Sequence, residues 1–152
     1  MTPPRFDSLE QEVYLSLWRT YDRLRAVEDE LFARFELTAQ QYNLLRLLKA
    51  GSPQETMALA DRLVSRAPDI TRMLDKLEAR GLIARERPPE NRRVVRVAIT
   101  PAGRDLLREI AKPVRDCADR QLGHLSAQQL QHLAELLRAV RAPHEQPGSG
   151  WR

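Results

Sequence analysis

The basic side chains of this sequence are concentrated in one section near its middle. Between residues 62 and 108 there are twelve Lys and Arg residues against six acidic ones, so this section carries a net charge of +6. The whole chain of 152 residues carries +4, which leaves −2 for the remainder. A cationic section of this kind suits a polyanion, because each side chain that neutralises a phosphate releases condensed counterions. A solvated charged surface is the ordinary alternative, and charge alone does not separate the two.

Several polar side chains of this section are of types that bind nucleic acid. Arg72 can offer a guanidinium fork to a guanine edge, and Thr71 a hydroxyl or methyl contact. Ser65 is placed to cap the helix that carries them, and Arg66 lies at the start of that helix, where free N–H groups suit a phosphate. The candidate DNA-binding residues are Ser65, Arg66, Thr71, Arg72, Lys76, Arg92 and Arg93.

The elements that position these residues are typical of a winged helix-turn-helix. A short helix, TMALADRL, turns through VSRA into a second helix over residues 68–80, the reading helix, which Gly81 ends. Its apolar face would anchor it to the core, so Arg72 and Asp75 would point outward, with Lys76 at the margin. Taken alone, such a helix is better explained by ordinary amphipathicity. The preceding turn and the following hairpin favour the DNA-reading interpretation.

That hairpin, the wing, consists of the strand-like runs LIARE and VVRVAIT joined by the loop RPPENRR. Pro88 and Pro89 stiffen the approach to its tip and Asn91 suits a turn, which puts Arg92 and Arg93 at or beside the tip. An Arg there can enter a minor groove, whose narrow A·T-rich stretches concentrate negative potential. The alternative is a solubilising loop.

Apolar helices flank this section and predict a mainly α (α+β) protein of one domain, residues 1–152. Residues 6–35 form a long helix with so wide an apolar surface that it should be buried on more than one side. Capping patterns start further helices at Thr38, at Thr100 and at Ser126. We expect dimerisation helices over 6–35 and 101–141, a winged helix-turn-helix lobe over 38–100, and a disordered tail over 142–152.

A second copy of the chain would bury the apolar flanks. One chain of 17.5 kDa offers little interior for them. A homodimer also suits DNA, because two-fold protein symmetry matches palindromic half-sites about one helical turn apart.

The order of elements resembles that of the multiple-antibiotic-resistance regulator (MarR) family of bacterial repressors. The resemblance rests on VSRAPDITRMLDKLEARGLIARE, on NRRVVRVAITPAG and on the preceding LTAQQYNLLRLL, and covers nearly the whole chain. The family's wing reads Asp-x-Arg and closes with Leu-Thr-x-x-Gly. Asn91 replaces that Asp, Arg93 matches the Arg, and Thr100 with Gly103 matches the close. The resemblance implies a homodimer that binds a palindromic operator in double-stranded DNA and represses nearby genes.

Many members of that family release DNA when a small, often aromatic or phenolic, inducer binds between the DNA-reading lobe and the dimer helices. Trp18, Tyr21 and Tyr42 could line such a pocket, with Arg19 or Arg46 meeting an anionic group. Ordinary core packing of these aromatic residues is the alternative.

Other chemistry finds little support. Cys117 lies on an apolar helix face and is expected to be a packed small hydrophobe rather than an oxidation sensor. The three histidines lack ligand-like spacing, and neither a metal, a cofactor nor an enzyme's catalytic group is expected. No apolar run approaches the roughly 20 residues that span a bilayer. With no signal-peptide pattern and a single cysteine, the sequence predicts a cytoplasmic protein.

Two functions remain at this point. The first is a sequence-specific DNA-binding transcriptional regulator, a repressor released by a small, in many relatives aromatic, ligand. The alternative is a winged-helix module that joins proteins and never binds DNA, since fold alone does not determine function. The basic tip at Arg92 and Arg93 favours the first.

Overall fold

The computed structural model describes residues 5–64, 69–149 and 151, which form six α-helices, three short strands and one 3-10 turn. The elements in chain order are α1 (Leu9–Ala33), α2 (Ala39–Ala50), β1 (Gln54–Glu55), α3 (Thr56–Arg62), α4 (Ile70–Ala79), β2 (Ile83–Glu86), β3 (Arg96–Ile99), α5 (Pro101–Leu122), α6 (Ala127–Arg141) and the 3-10 turn Ala142–His144. The predicted mainly helical class with a small sheet is confirmed.

The helix starts follow their capping residues. Thr38, Thr100 and Ser126 each accept a hydrogen bond from the backbone N–H three residues on, as predicted. At Thr38 and Ser126, the side-chain oxygen of the glutamine three residues on accepts a hydrogen bond from the backbone N–H of the cap residue, which completes a capping box. The first helix starts at Leu9 rather than near residue 6, because Ser8 caps it.

The sheet is antiparallel in the order β1-β3-β2. The pairing of Ile83 with Ile99 sets the register of the wing, and Gln54 pairs with Val97 on the other side of β3. Every second residue of β3, Val97 and Ile99, is buried, as expected for a strand with one face against the core. The strand β1 had not been predicted, since two residues are too few to show a pattern.

The core lies between the end of α1, the winged helix-turn-helix lobe and α5. Its fully enclosed side chains include Phe32, Leu44, Leu45, Leu48, Leu59, Leu74, Leu77, Ile83, Val97 and Ile110. Leu31 and Phe32 are the buried residues of α1, and α6 has none. Burial of α1 on more than one side therefore stays a prediction that depends on a second copy. The exposed apolar residues of α1 lie in its N-terminal half, too far along the helix to reach the core.

α5 starts in close contact with the wing at Gly103. A Cβ atom on Gly103 would lie 2.3 Å from the carbonyl oxygen of Leu82 and 2.7 Å from the side chain of Ile99. Thr100, the N-cap, also donates its hydroxyl to the carbonyl oxygen of Gly81 at 2.6 Å. The threonine and glycine of the Thr-x-x-Gly pattern thus join the wing to α5.

The described part of the C-terminal segment makes several side-chain contacts. After the turn at Ala142–His144, Arg141 pairs with Glu145 at 3.1 Å. The indole N–H of Trp151 donates to the carbonyl oxygen of Leu63 at 3.2 Å, and the Arg141 guanidinium lies 5.6 Å from the Trp151 ring centroid. The Trp151 ring thus makes a contact with the end of α3 that is distant along the chain.

Candidate nucleic-acid interface

The reading helix is α4 (Ile70–Ala79), two residues shorter at its start than predicted. Its N-cap is Asp69, whose carboxylate accepts from the backbone N–H of Arg72 at 2.9 Å. The assignment of Ser65 as the cap is therefore wrong, because an acid directly before the first turn fills that position. Ser65 and Arg66 themselves lie outside the described residues.

The outward face of the reading helix carries the predicted residues. Leu74 and Leu77 are buried and anchor the helix, whereas Thr71, Arg72 and Lys76 are exposed. Within the described ranges, neither Arg72 nor Lys76 makes an ion pair. Their charges therefore remain available to a ligand outside the chain.

The wing tip is a tight turn built by Asn91. Its backbone N–H donates to the carbonyl oxygen of Pro88 at 3.1 Å, and its side-chain oxygen accepts from the backbone N–H of Arg93 at 3.2 Å. Asn91 thus shapes the loop by accepting a hydrogen bond from the backbone of Arg93, and not by binding the guanidinium of Arg93. The side chains of Arg92 and Arg93 are exposed and without an ion pair in the described part of the chain. Asn91 does not pair with the guanidinium of Arg93, as an Asp at this position could.

A contact that sequence reasoning missed joins the reading helix to the wing. Arg85 on β2 binds two carboxylates of α4, with 2.5 Å from Nη2 to Asp75 Oδ1 and 3.1 Å from Nη2 to Glu78 Oε1. These bonds lower the pKa of Glu78 below its ordinary value and raise that of Arg85. Asp75, expected to point freely outward, is thus occupied. The only sequence signal was an Arg soon after two acids one helical turn apart, a common pattern.

A cleft of about 570 Å³ lies between α1 and the reading helix. Tyr21, Arg25 and Glu28 are among the α1 residues that line it, and Arg72, Met73 and Lys76 line it from α4. A cavity at this junction was expected.

The predicted aromatic set is not brought together in that cleft. Tyr21 lines it, whereas Trp18 is absent from its walls and largely exposed. Tyr42 is half-buried and stacks on Phe32 with ring centroids 4.7 Å apart, as the core-packing alternative predicted. Arg19 is also absent from its walls, and Arg46 donates to the side chain of Asn43 at 3.1 Å.

The charges of the cleft are unevenly paired. Arg25 binds Asp29 at 3.2 Å. Partial burial, and then the neighbouring Asp29, raise the pKa of Glu28 above its ordinary value. Burial likewise raises the pKa of the Tyr42 phenol. One wall therefore holds a carboxyl with a raised pKa, and the other holds Arg72 and Lys76, which make no ion pair within the described ranges.

Cys117 is buried, and burial followed by the charge of Glu28 raises the pKa of its thiol. Cys117 belongs to the hydrophobic core cluster, which confirms its predicted packing, and a raised pKa disfavours the thiolate. In the described ranges, no three His, Cys, Asp or Glu side chains are grouped to hold a metal ion. No helix in the part of the chain that the structure describes is both long and apolar enough to cross a membrane.

An exposed reading helix whose cations make no ion pair among the described residues, followed by a hairpin with arginines at its tip, is typical of a winged-helix DNA-binding protein. The MarR family model matches residues 37–95. A MarR transcription factor from Planctomyces limnophilus, known from its crystal structure, is 57% identical with a TM-score of 0.70, over 89% of this chain and 99% of that one. The transcriptional regulator HosA from Escherichia coli O111:H- is 30% identical over 128 residues, 80% of this chain and 94% of HosA.

A third similar protein is BpsR from Bordetella bronchiseptica, whose structure concerns the regulation of its DNA binding by 6-hydroxynicotinic acid. It is 26% identical with a TM-score of 0.77, over 85% of this chain and 98% of BpsR. The chain belongs to the MarR family of transcriptional regulators, which confirms the resemblance inferred from its sequence.

Proposed function

We propose that this protein is a cytoplasmic repressor that binds a palindromic operator as a homodimer and releases it when a small ligand occupies the α1–α4 cleft. The observation that carries the proposal is a division among the basic residues of the lobe. Arg85 and Arg96 are paired with acids of the lobe itself. Arg72 and Lys76 on the reading helix, and the two arginines of the wing tip, have no ion-pair partner in the described ranges and are exposed.

The unpaired residues fit two different features of duplex DNA. The reading helix would lie in the major groove, where Arg72 reaches a guanine edge and Thr71 contacts a base methyl or phosphate. The tip of the wing would enter the adjacent minor groove, where Arg92 and Arg93 meet the stronger negative potential of an A·T-rich stretch. Lys76, one turn after Arg72, is suited to a backbone phosphate.

The exposed apolar faces of α1 and α6 support a homodimer. The large exposed hydrophobic side chains of these helices are Leu9, Val13, Tyr14, Leu15, Trp18, Tyr21, Leu133, Leu136 and Val140. Large apolar side chains exposed in such number on two helices favour a protein interface. A two-fold dimer built through these helices would present two reading helices to two half-sites.

The composition of the cleft supports a small ligand with an acidic group. A volume of about 570 Å³ is within the range of small-molecule sites. A carboxylate in the cleft would engage Arg72 and Lys76, the side chains that DNA also requires, while Tyr21 offers a ring and Glu28 an acceptor or, when protonated, a donor. That BpsR responds to 6-hydroxynicotinic acid supports a ligand of this general kind.

The proposal is tested by fluorescence anisotropy with labelled duplex from upstream of the protein's own coding sequence, against a scrambled duplex of equal length. We expect a preference for the upstream duplex and an affinity that falls steeply with salt. A protein-interaction module would bind neither duplex at any salt concentration, and that result would refute the proposal.

A further inference from the structure

We propose that Arg85 is a positioning residue that sets the separation between the reading helix and the wing, acting through Asp75 and Glu78. The inference rests on the proposed function, in which these two parts contact DNA together. Arg85 itself, in this proposal, does not contact the nucleic acid.

The contacts of Arg85 hold both its side chain and its backbone. The guanidinium reaches Asp75 at 2.5 Å and Glu78 at 3.1 Å from Nη2, and its Nε lies 3.3 Å from Glu78 Oε2. The backbone N–H of Arg85 donates to the same Glu78 oxygen at 3.0 Å. A fork bound to two carboxylates fixes direction as well as distance, which a single ion pair does not.

The position of Arg85 makes it the natural point for such a link. It is the third residue of β2, two residues before the loop that carries the wing tip, and it pairs across the sheet with Val97. Along the chain, the reading helix is joined to β2 by the three residues Arg80, Gly81 and Leu82. A helix and a hairpin that must enter two grooves together lose affinity when their separation varies.

The two acids that bind Arg85 should weaken DNA binding by charge repulsion unless they also position the wing. Asp75 and Glu78 lie on the helix proposed to face a polyanion, and their side chains are 58% and 41% exposed. Simple electrostatics predicts that neutralising either acid strengthens DNA binding, because a repulsive charge is removed. The positioning role predicts instead that neutralising either acid weakens binding to the operator. The two effects can therefore be told apart by the direction of the change in affinity.

The matched control is Glu86→Gln. Glu86 follows Arg85 on β2, is exposed, and makes no ion pair in the described part of the chain. The substitution removes one negative charge from the same strand while leaving the link intact. We expect Asp75→Asn and Glu78→Gln to weaken operator binding by about tenfold, whereas Glu86→Gln binds as tightly as the parent or more tightly. On scrambled DNA all three variants should bind at least as well as the parent.

A double-substitution cycle identifies the partner through which Arg85 acts. Arg85→Ala and Glu78→Gln should each weaken operator binding, and the combined variant should be little weaker than Arg85→Ala alone. Full additivity of the two losses would mean that Arg85 meets DNA directly, and would overturn the proposal. Tightening by Asp75→Asn and Glu78→Gln to the level of Glu86→Gln would overturn it as well.

A measurement without DNA keeps this inference separate from the proposed function. Amide hydrogen exchange should accelerate over residues 85–95 in Arg85→Ala and Glu78→Gln, but not in Glu86→Gln, with α2 unchanged in all three. If the parent binds no operator, this acceleration still supports the link between helix and wing. If the wing exchanges at the parental rate in Arg85→Ala, the positioning role is refuted whatever the DNA result.

Discussion

The guanidinium of Arg80 donates a hydrogen bond to the carbonyl oxygen of Glu36 at 2.6 Å. Its second nitrogen donates to the carbonyl oxygen of Phe35 at 3.2 Å. Arg80 is the C-cap of the reading helix, and the two carbonyls belong to the turn that follows α1. The contact thus joins the helix proposed to read DNA to the helix proposed to pair with a second copy.

The link predicts a measurable loss in Arg80→Ala. Removing two charge-assisted hydrogen bonds at an exposed site should lower the free energy of unfolding by about 1–2 kcal/mol. Arg80→Lys should recover only part of it, because an ammonium does not reproduce the planar fork. Urea titration measures both, with the exposed Lys49→Ala on α2 as control. An Arg80→Ala midpoint equal to that of Lys49→Ala would contradict the role assigned to this contact.

Gly103 should tolerate no side chain. In Gly103→Ala the added methyl group would lie 2.3 Å from the Leu82 carbonyl oxygen and 2.7 Å from Ile99, so α5 and the wing must move apart. We expect a loss of about 1–3 kcal/mol of unfolding free energy. The neighbouring, exposed Ala102→Ser serves as control in the same thermal or urea unfolding series. Parental stability in Gly103→Ala would show that the wing and α5 are not packed as described.

The features that sequence predicted well are those encoded within a few residues. Helix starts could be predicted at Thr38, Thr100 and Ser126 because a capping hydrogen bond joins residues only three positions apart. The exposed face of the reading helix follows from its leucine spacing.

The features that sequence reasoning missed depend on residues distant along the chain. Nothing near Arg85 distinguishes an arginine bound to Asp75 and Glu78 from one free to bind phosphate. Likewise, Tyr42 was a candidate ligand residue until its stacking on Phe32 placed it in the core. Ser65 was assigned as the cap of the reading helix, but the helix starts at Ile70 and its N-cap is Asp69.

Arg72→Ala and Arg93→Ala should affect DNA binding in different ways. Loss of Arg72 should cost about 1–3 kcal/mol on the operator and much less on scrambled DNA, because its fork reads a base edge. Loss of Arg93 should weaken binding to both DNAs and lower the salt dependence, since a wing contact is mainly electrostatic. Neither variant should unfold, as both side chains are exposed.

Anisotropy titrations at several salt concentrations, with circular dichroism of each variant, measure these effects. Arg108, which pairs with Asp105 on α5, provides the control variant Arg108→Ala with the same loss of charge. Parental affinity in both Arg72→Ala and Arg93→Ala would count decisively against the assigned interface.

Glu28 should make the stability of the fold depend on pH. Burial raises the pKa of Glu28 above its ordinary value of 4.5. Between 4.5 and the raised pKa the folded chain binds more protons than the unfolded chain, so this residue's contribution to stability falls as pH rises through that window. In Glu28→Gln that fall is absent, and the variant should be more stable than the parent at neutral pH and gain nothing below about pH 4. Urea midpoints across this range measure the difference. A difference that does not change with pH would contradict the assignment.

Trp18 should lie in the interface between two copies. Its side chain is 63% exposed in the single chain, on the half of α1 that carries the other exposed apolar residues. Trp18→Gln removes an aromatic surface of the kind that contributes most to interfaces. The dimer of this variant should therefore dissociate at a higher protein concentration than the parent dimer. Arg19→Gln, which puts the same side chain one residue further along the helix, is the matched control. Light scattering over a dilution series measures the dissociation, and helical content should be the same in all three proteins.

Because two half-sites must be bound at once, the Trp18→Gln variant should also bind the operator more weakly, whereas Arg19→Gln should keep most of the parental affinity. A parent that is monomeric throughout the series, or a Trp18→Gln variant as dimeric as Arg19→Gln, would exclude this face from the interface.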